Sequence, residues 1–215
     1  MPRFLLPKKD EYFSAYSHVV GLFFSIIGAI FLLIKTVNAL ENLGVIIIYC
    51  IVLCLLFAAS ALYHTIKRKE KEDSVWRKID HIAIYYMIAG TYTPLVYIYL
   101  ESPWKWIIIG LQWGFALVGT ILKLFVTSLP RWPDAIIYLI MGWMIIIQIK
   151  QLFILLPMES FIVLFVGGLS YTIGAVFFAI NKQKPFPGKF VFHDIFHVLI
   201  IIGAACHYFN IYVAV

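Results

Sequence analysis

Charge is what this chain has least of. Only 13% of its 215 residues are Asp, Glu, Lys or Arg, whereas 63% are hydrophobic. With a mean hydropathy of +0.94, the apolar surface exceeds what a soluble domain of this size needs or can hide. No polar stretch is long enough for a soluble module, so residues 1–215 read as one domain. Cysteine is scarce too: Cys50, Cys54 and Cys206 all lie in apolar segments. Cys50 and Cys54 are one helical turn apart, which suits small hydrophobic side chains better than a disulfide. A secretory signal is also lacking. The basic start Met1 to Lys9 leads into a segment without a small-residue cleavage pattern, which reads as a first membrane span. The net charge of +6 resides in short loops, which argues against nucleic acid as a partner and leaves membrane lipids. A transporter is disfavoured because the spans carry no array of acids away from their rims and the two halves show no repeat. Seven integral spans with no soluble form also fit a released pore-forming toxin poorly.

What is present is a series of apolar runs near the length that crosses about 30 Å of hydrocarbon. They predict an all-α polytopic membrane protein with seven transmembrane helices: Ser17 to Val37, Gly44 to Thr65, Ile79 to Leu100, Trp104 to Phe125, Ala135 to Gln151, Ser160 to Ile180 and Phe192 to Val215. The fifth is the shortest, with Lys150 snorkelling from its end. Phe, Tyr and Trp make up 17% of the chain; lipid-facing surfaces and interfacial belts account for most of them. If the N-terminus is cytoplasmic, then of the seventeen Lys and Arg all but Lys35, Lys105 and Lys150 fall on the inner side. That bias predicts a cytoplasmic N-terminus and, with an odd number of spans, a C-terminus outside.

The same topology brings scattered polar residues to one depth. His64 closes the second span as it runs inward, Asp80 opens the third, and His193 with His197 opens the seventh. Imidazoles four apart share a helix face and can bind one ion. Three imidazoles plus water make a common catalytic zinc set, so His64, His193 and His197 are the candidate metal ligands and Zn²⁺ the expected cofactor. Ser60 lies one turn before His64 on the same face, where its hydroxyl can meet the activated water or a substrate oxygen. Asp80 can orient that water and take its proton, or hold a ligand histidine in the right tautomer. Such a site suits amide or ester hydrolysis. Asp194 competes for the base role, because an acid beside the first of two helical histidines is the base of the zinc-protease helix; aspartate is shorter, and Asp80 is favoured. Each residue also has a plainer reading. His64 can be an interfacial cap, His193 and His197 helix-end polar groups, Asp80 a partner of Arg77 or of the helix N-terminus, and Ser60 a small packing residue. Their shared depth is what favours the metal site.

Other polar marks are secondary or conformational. His81 is left unassigned. His207, ten residues and roughly 15 Å beyond His197, is too far to share its ion and reads as a buried hydrogen-bonding residue or an outer polar contact. Glu11, Ser14 and His18 form a polar stripe entering the first span, a candidate outer shell. Pro94, in the run Gly90-Thr91-Tyr92-Thr93-Pro94, should kink or interrupt the third helix. Gly167, Gly168 and Gly174 offer the sixth span a small face, and residues 184–189 form a stiff loop into the seventh.

The same landmarks carry a family resemblance. The run Glu11 to His18, Ser60-Ala61-Leu62-Tyr63-His64, Asp80-His81-x-Ala83-Ile84-Tyr85 leading to Ala89–Pro94, Gly142-Trp143, Gly167-Gly168-x-x-Tyr171-x-x-Gly174-Ala175, and His193-Asp194-Ile195-Phe196-His197 with His207 occur in order along the chain. Together they resemble the bacterial hemolysin III group of the progestin and adiponectin receptor superfamily, itself related to alkaline ceramidases. The resemblance implies seven helices with an inside N-terminus, zinc on His64, His193 and His197, and Ser60 and Asp80 beside the activated water. It also implies roles in lipid hydrolysis and membrane-lipid homeostasis. Two positions depart from the family pattern: Ser14 replaces a usual asparagine, and Asp194 a more common glutamate or glutamine. Two functions are therefore expected to compete: a zinc-dependent hydrolase of a lipid amide or ester, with a cavity open sideways to lipid, and a non-enzymatic sensor or regulator in which zinc clamps helices.

Overall fold

The computed structural model describes residues 6–69, 74–125, 131–180 and 191–215, and every regular element among them is helical. The elements are α1 (Tyr12–Thr36), α2 (Leu43–Ile66), α3 (Val75–Tyr99), α4 (Trp104–Phe125), α5 (Arg131–Trp143), α6 (Ile149–Leu155), α7 (Met158–Ile180) and α8 (Phe192–Ala214). Short 3-10 turns precede α1 and α2 and join α5 to α6. Seven helical stretches are long and apolar enough to cross a membrane, the fifth being the composite Trp132–Leu155. Helices are the natural solution there, because hydrocarbon offers no partner to an unpaired backbone group. Large apolar side chains such as Phe125 (80% exposed) and Ile154 (79%) point outward, as they do when the surrounding solvent is lipid.

The second, third and seventh spans are the most enclosed. Helix α3 packs against α2, α4, α5 and α8, while α8 lies between α1 and α7. Gly90 allows the closest approach of α2 to α3: a Cβ there would lie 2.2 Å from a Val52 methyl. Gly167 and Gly174 of α7 likewise sit against α8, whereas no neighbour crowds Gly168. The cysteines are free thiols.

Three expectations need correction. Helix α1 begins at Tyr12, five residues before the predicted edge, so Ser14 and His18 lie on it with Glu11 at its N-cap. Pro94 does not interrupt α3, which runs continuously to Tyr99. The fifth span is not the shortest: it extends to Leu155 but changes to a 3-10 stretch at Met144–Gln148. There the Tyr92 hydroxyl donates to the Gly142 carbonyl at 2.5 Å and accepts from the Ile145 N–H at 3.0 Å. A side chain of α3 thus replaces hydrogen bonds that the broken ladder gives up. The 184–189 loop lies outside the described residues.

A second polar knot ties α3, α4 and α5. Asp134, buried, accepts from the Tyr85 hydroxyl at 3.0 Å and from the Lys123 ammonium, with His81 Nδ1 at 3.4 Å. Lys123, read from sequence only as an inner-side charge, is buried and neutralised in place.

Candidate metal centre

His64 is the third residue from the end of α2, and His193 and His197 stand in the first two turns of α8. One ligand nitrogen from each lies within 4.8 Å of the others. His193 Nε2 is 3.3 Å from His64 Nε2 and 3.1 Å from His197 Nε2. A tetrahedral ion with ligands at ~2.0–2.1 Å sets its nitrogens roughly 3.3 Å apart, so the two spacings match the edges of such a site. His64 and His197 are fully enclosed, at 0% and 1% exposure.

The protonation pattern points the same way. Glu11 Oε2 accepts from His64 Nδ1 at 2.6 Å, and a carboxylate only accepts. The proton of neutral His64 therefore sits on Nδ1 and leaves a lone pair on Nε2, facing its two neighbours. His197 Nδ1 meets His18 Nε2 at 2.9 Å; donation in that direction leaves the His197 Nε2 lone pair pointing inward as well. Lone pairs converging this closely repel unless a cation, or a proton on His193 Nε2, lies between them. The donor set, three imidazoles of which His64 and His197 have their outward nitrogens held by a carboxylate and a fourth imidazole, suits a borderline-soft divalent ion such as zinc.

The first-span stripe contacts the three-histidine cluster and the start of α8. Glu11 also pairs with Lys67, and the Ser14 hydroxyl donates to Asp194 Oδ1 at 3.2 Å. Asp194 Oδ2 accepts the Val191 N–H at 3.1 Å, capping α8. Both oxygens of Asp194 are thus occupied in positioning the helix, which weakens its candidacy as a base. Ser60 is buried one turn from His64, and among the described residues its hydroxyl makes no hydrogen bond. Asp80 is also buried, and no hydrogen bond links it to the three imidazoles among the described residues. Sequence placed Glu11 and His18 near the site without their partners, because the signal needed was the contact of α1 with α2 and α8.

Beside the cluster lies a partly open cavity of about 120 Å³, walled by apolar residues of α3, α5, α7 and α8. Two wall residues, Ile146 and Phe165, are also exposed, at 52% and 41%, so the wall there is a single layer of side chains. At its inner end stands Phe196, whose ring lies 5.7 Å from that of His193 and 5.6 Å from that of His197.

Comparison with known proteins agrees with the landmarks. The model of the family "Haemolysin-III related" matches residues 7–208. The chain is 34% identical to "Hemolysin-3 homolog" of Bacillus subtilis (strain 168), over 94% of this chain and 92% of that protein. It is 35% identical to "Hemolysin-3" of Bacillus cereus, over 94% and 90%. A more distant relative is the human "Monocyte to macrophage differentiation factor", 28% identical over 77% of this chain and 68% of that one.

Proposed function

The chain belongs to the haemolysin-III related family and is a multi-pass membrane protein, and from that premise we propose that it is a zinc-dependent hydrolase of lipid amide or ester bonds serving membrane-lipid homeostasis. It resides in a cell membrane with its N-terminus and the histidine cluster on the cytoplasmic side. The observation that carries this reading is the convergence of three imidazole nitrogens, those of His64 and His197 braced by Glu11 and His18, next to a partly open apolar cavity. His64, His193 and His197 would hold the ion, which when bound would supply Lewis acidity and make water acidic enough to react near neutral pH. The acyl chain lies in the cavity with its carbonyl near the cluster. Ser60 donates its hydroxyl to the substrate's carbonyl oxygen. Asp80 accepts a proton from the attacking water and returns it to the leaving nitrogen or oxygen as the bond between that atom and the carbonyl carbon breaks, releasing a fatty acid and an amine or alcohol.

One observation favours a second reading, a regulator with structural zinc. The Phe196 ring lines the cavity and packs against His193 and His197, and none of the three imidazoles lines the cavity among the described residues. Purified zinc-loaded protein and its His197→Ala form, assayed on ceramides, N-acyl amides and phospholipids, separate the two. Turnover by the parent alone is expected; inactivity of both, with tight zinc in the parent, selects the regulator.

A further inference from the structure

His64 and His197 are so enclosed that an ion reaches their nitrogens only when a covering element moves. The covers differ in how firmly they are held. Phe196 and His18 belong to long helices, α8 and α1, whose displacement would disturb the packing of whole spans. Residues 6–11 are different. They precede α1 and end in the single 3-10 turn Lys9–Glu11. Leu6, Lys8, Lys9 and Asp10 are exposed, and only Pro7 and Glu11 turn inward. A segment with so little buried surface opens at a small cost in free energy.

This segment is fastened to the end of α2 at two places. At its near end Glu11 Oε2 accepts from His64 Nδ1 at 2.6 Å, while Oε1 pairs with Lys67. At its far end the Lys8 ammonium donates to the Arg68 carbonyl. Arg68 donates in return from Nη2 to the Leu6 carbonyl at 3.4 Å. Its Nη1 serves the Thr65 and Lys67 carbonyls at 3.2 and 3.3 Å. The last carbonyls of a helix have no partner within it, so a helix C-terminus is a natural dock for cations. The two ends are joined within one turn, because the Glu11 N–H donates to the Lys8 carbonyl at 2.9 Å.

We propose that residues 6–11 are a hinged strap over the His64 side of the cluster, and that opening its Lys8–Arg68 clasp lets a divalent cation enter and leave. The strap rests on the reading of His64, His193 and His197 as a metal site; it does not require that site to be catalytic. Lifting the segment draws Glu11 off His64 and frees the imidazole to turn. Lys8 and Arg68 are positioning residues that act through Glu11.

The test measures metal exchange rather than turnover. The full chain is purified in mild detergent, its zinc content is determined, and exchange with radioactive zinc is timed beside a chelator competition titration of affinity. Lys8→Gln and Arg68→Gln open the clasp. Lys9→Gln removes the same charge from an exposed neighbour that takes no part in the contacts above. Lys8→Gln and Arg68→Gln should each speed exchange by about three- to tenfold, the worth of one hydrogen bond. Affinity should not change, because a strap that remains mostly closed lowers the barrier equally for entry and exit. Lys9→Gln should exchange at the parental rate. Faster exchange with a matching fall in affinity would make the clasp a support for ligand geometry and overturn the strap. Parental exchange in Lys8→Gln, or equal acceleration in Lys9→Gln, overturns it as well. Zinc-free parent protein overturns the metal reading and the strap together, whereas zinc-loaded parent with exchange insensitive to the clasp overturns the strap alone. Should Arg68→Gln fail to fold, Lys8→Gln against Lys9→Gln decides.

Discussion

Glu11 acts on the candidate metal site through His64. Its carboxylate fixes the Nδ1 proton and turns the Nε2 lone pair inward, at a hydrogen bond of 2.6 Å between residues 53 apart in sequence. Removing such a partner of a ligating histidine typically costs 10–100-fold in metal affinity. Glu11→Gln, which keeps the shape and removes the charge, is therefore expected to weaken zinc binding by about that factor in a chelator competition titration; parental affinity would show that the carboxylate is not the orienting group. At this scale the sequence showed types and depth. Three imidazoles at the inner ends of two spans were legible from topology and i, i+4 spacing. The pairing of Glu11 with His64, of His18 with His197 and of Ser14 with Asp194 was not, since no periodicity within α1 says which helices flank it.

Among the elements, the fifth span departs furthest from its expectation. Its apolar run gives no hint of a break at Met144–Gln148, because the compensation comes from Tyr92 on another helix. Tyr92→Phe leaves the Gly142 carbonyl and the Ile145 N–H without that partner in a dry setting. A loss of about 1–3 kcal/mol per group is expected, read as a lower unfolding temperature in detergent together with faster amide exchange at Ile145. Unchanged exchange would show that the break is held by other contacts. Pro94, for which the local rule predicts a kink or an interruption, does not interrupt α3, which is enclosed by α2, α4, α5 and α8 and continues through it.

For the molecule as a whole, the run lengths gave seven spans, and most edges fall within a few residues of those observed. The charge asymmetry adds a direction. With the native thiols confined to spans, Glu41→Cys in the loop before α2 should label in intact cells with a membrane-impermeant maleimide, and Lys69→Cys only after permeabilisation. The reverse pattern would invert the proposed orientation. The overall packing, in which α8 is inserted between α1 and α7 and carries one face to the metal cluster and another to the cavity, was beyond reach of the sequence, because each apolar helix can pack on several faces.

The claim on which the rest depends is that His64, His193 and His197 grip one divalent cation. Elemental analysis of protein extracted in mild detergent without chelators measures this directly, with His197→Ala purified in parallel. One zinc per chain in the parent and a small fraction of that in the variant is the expected result. Metal-free parent protein, or equal zinc in both, would contradict it.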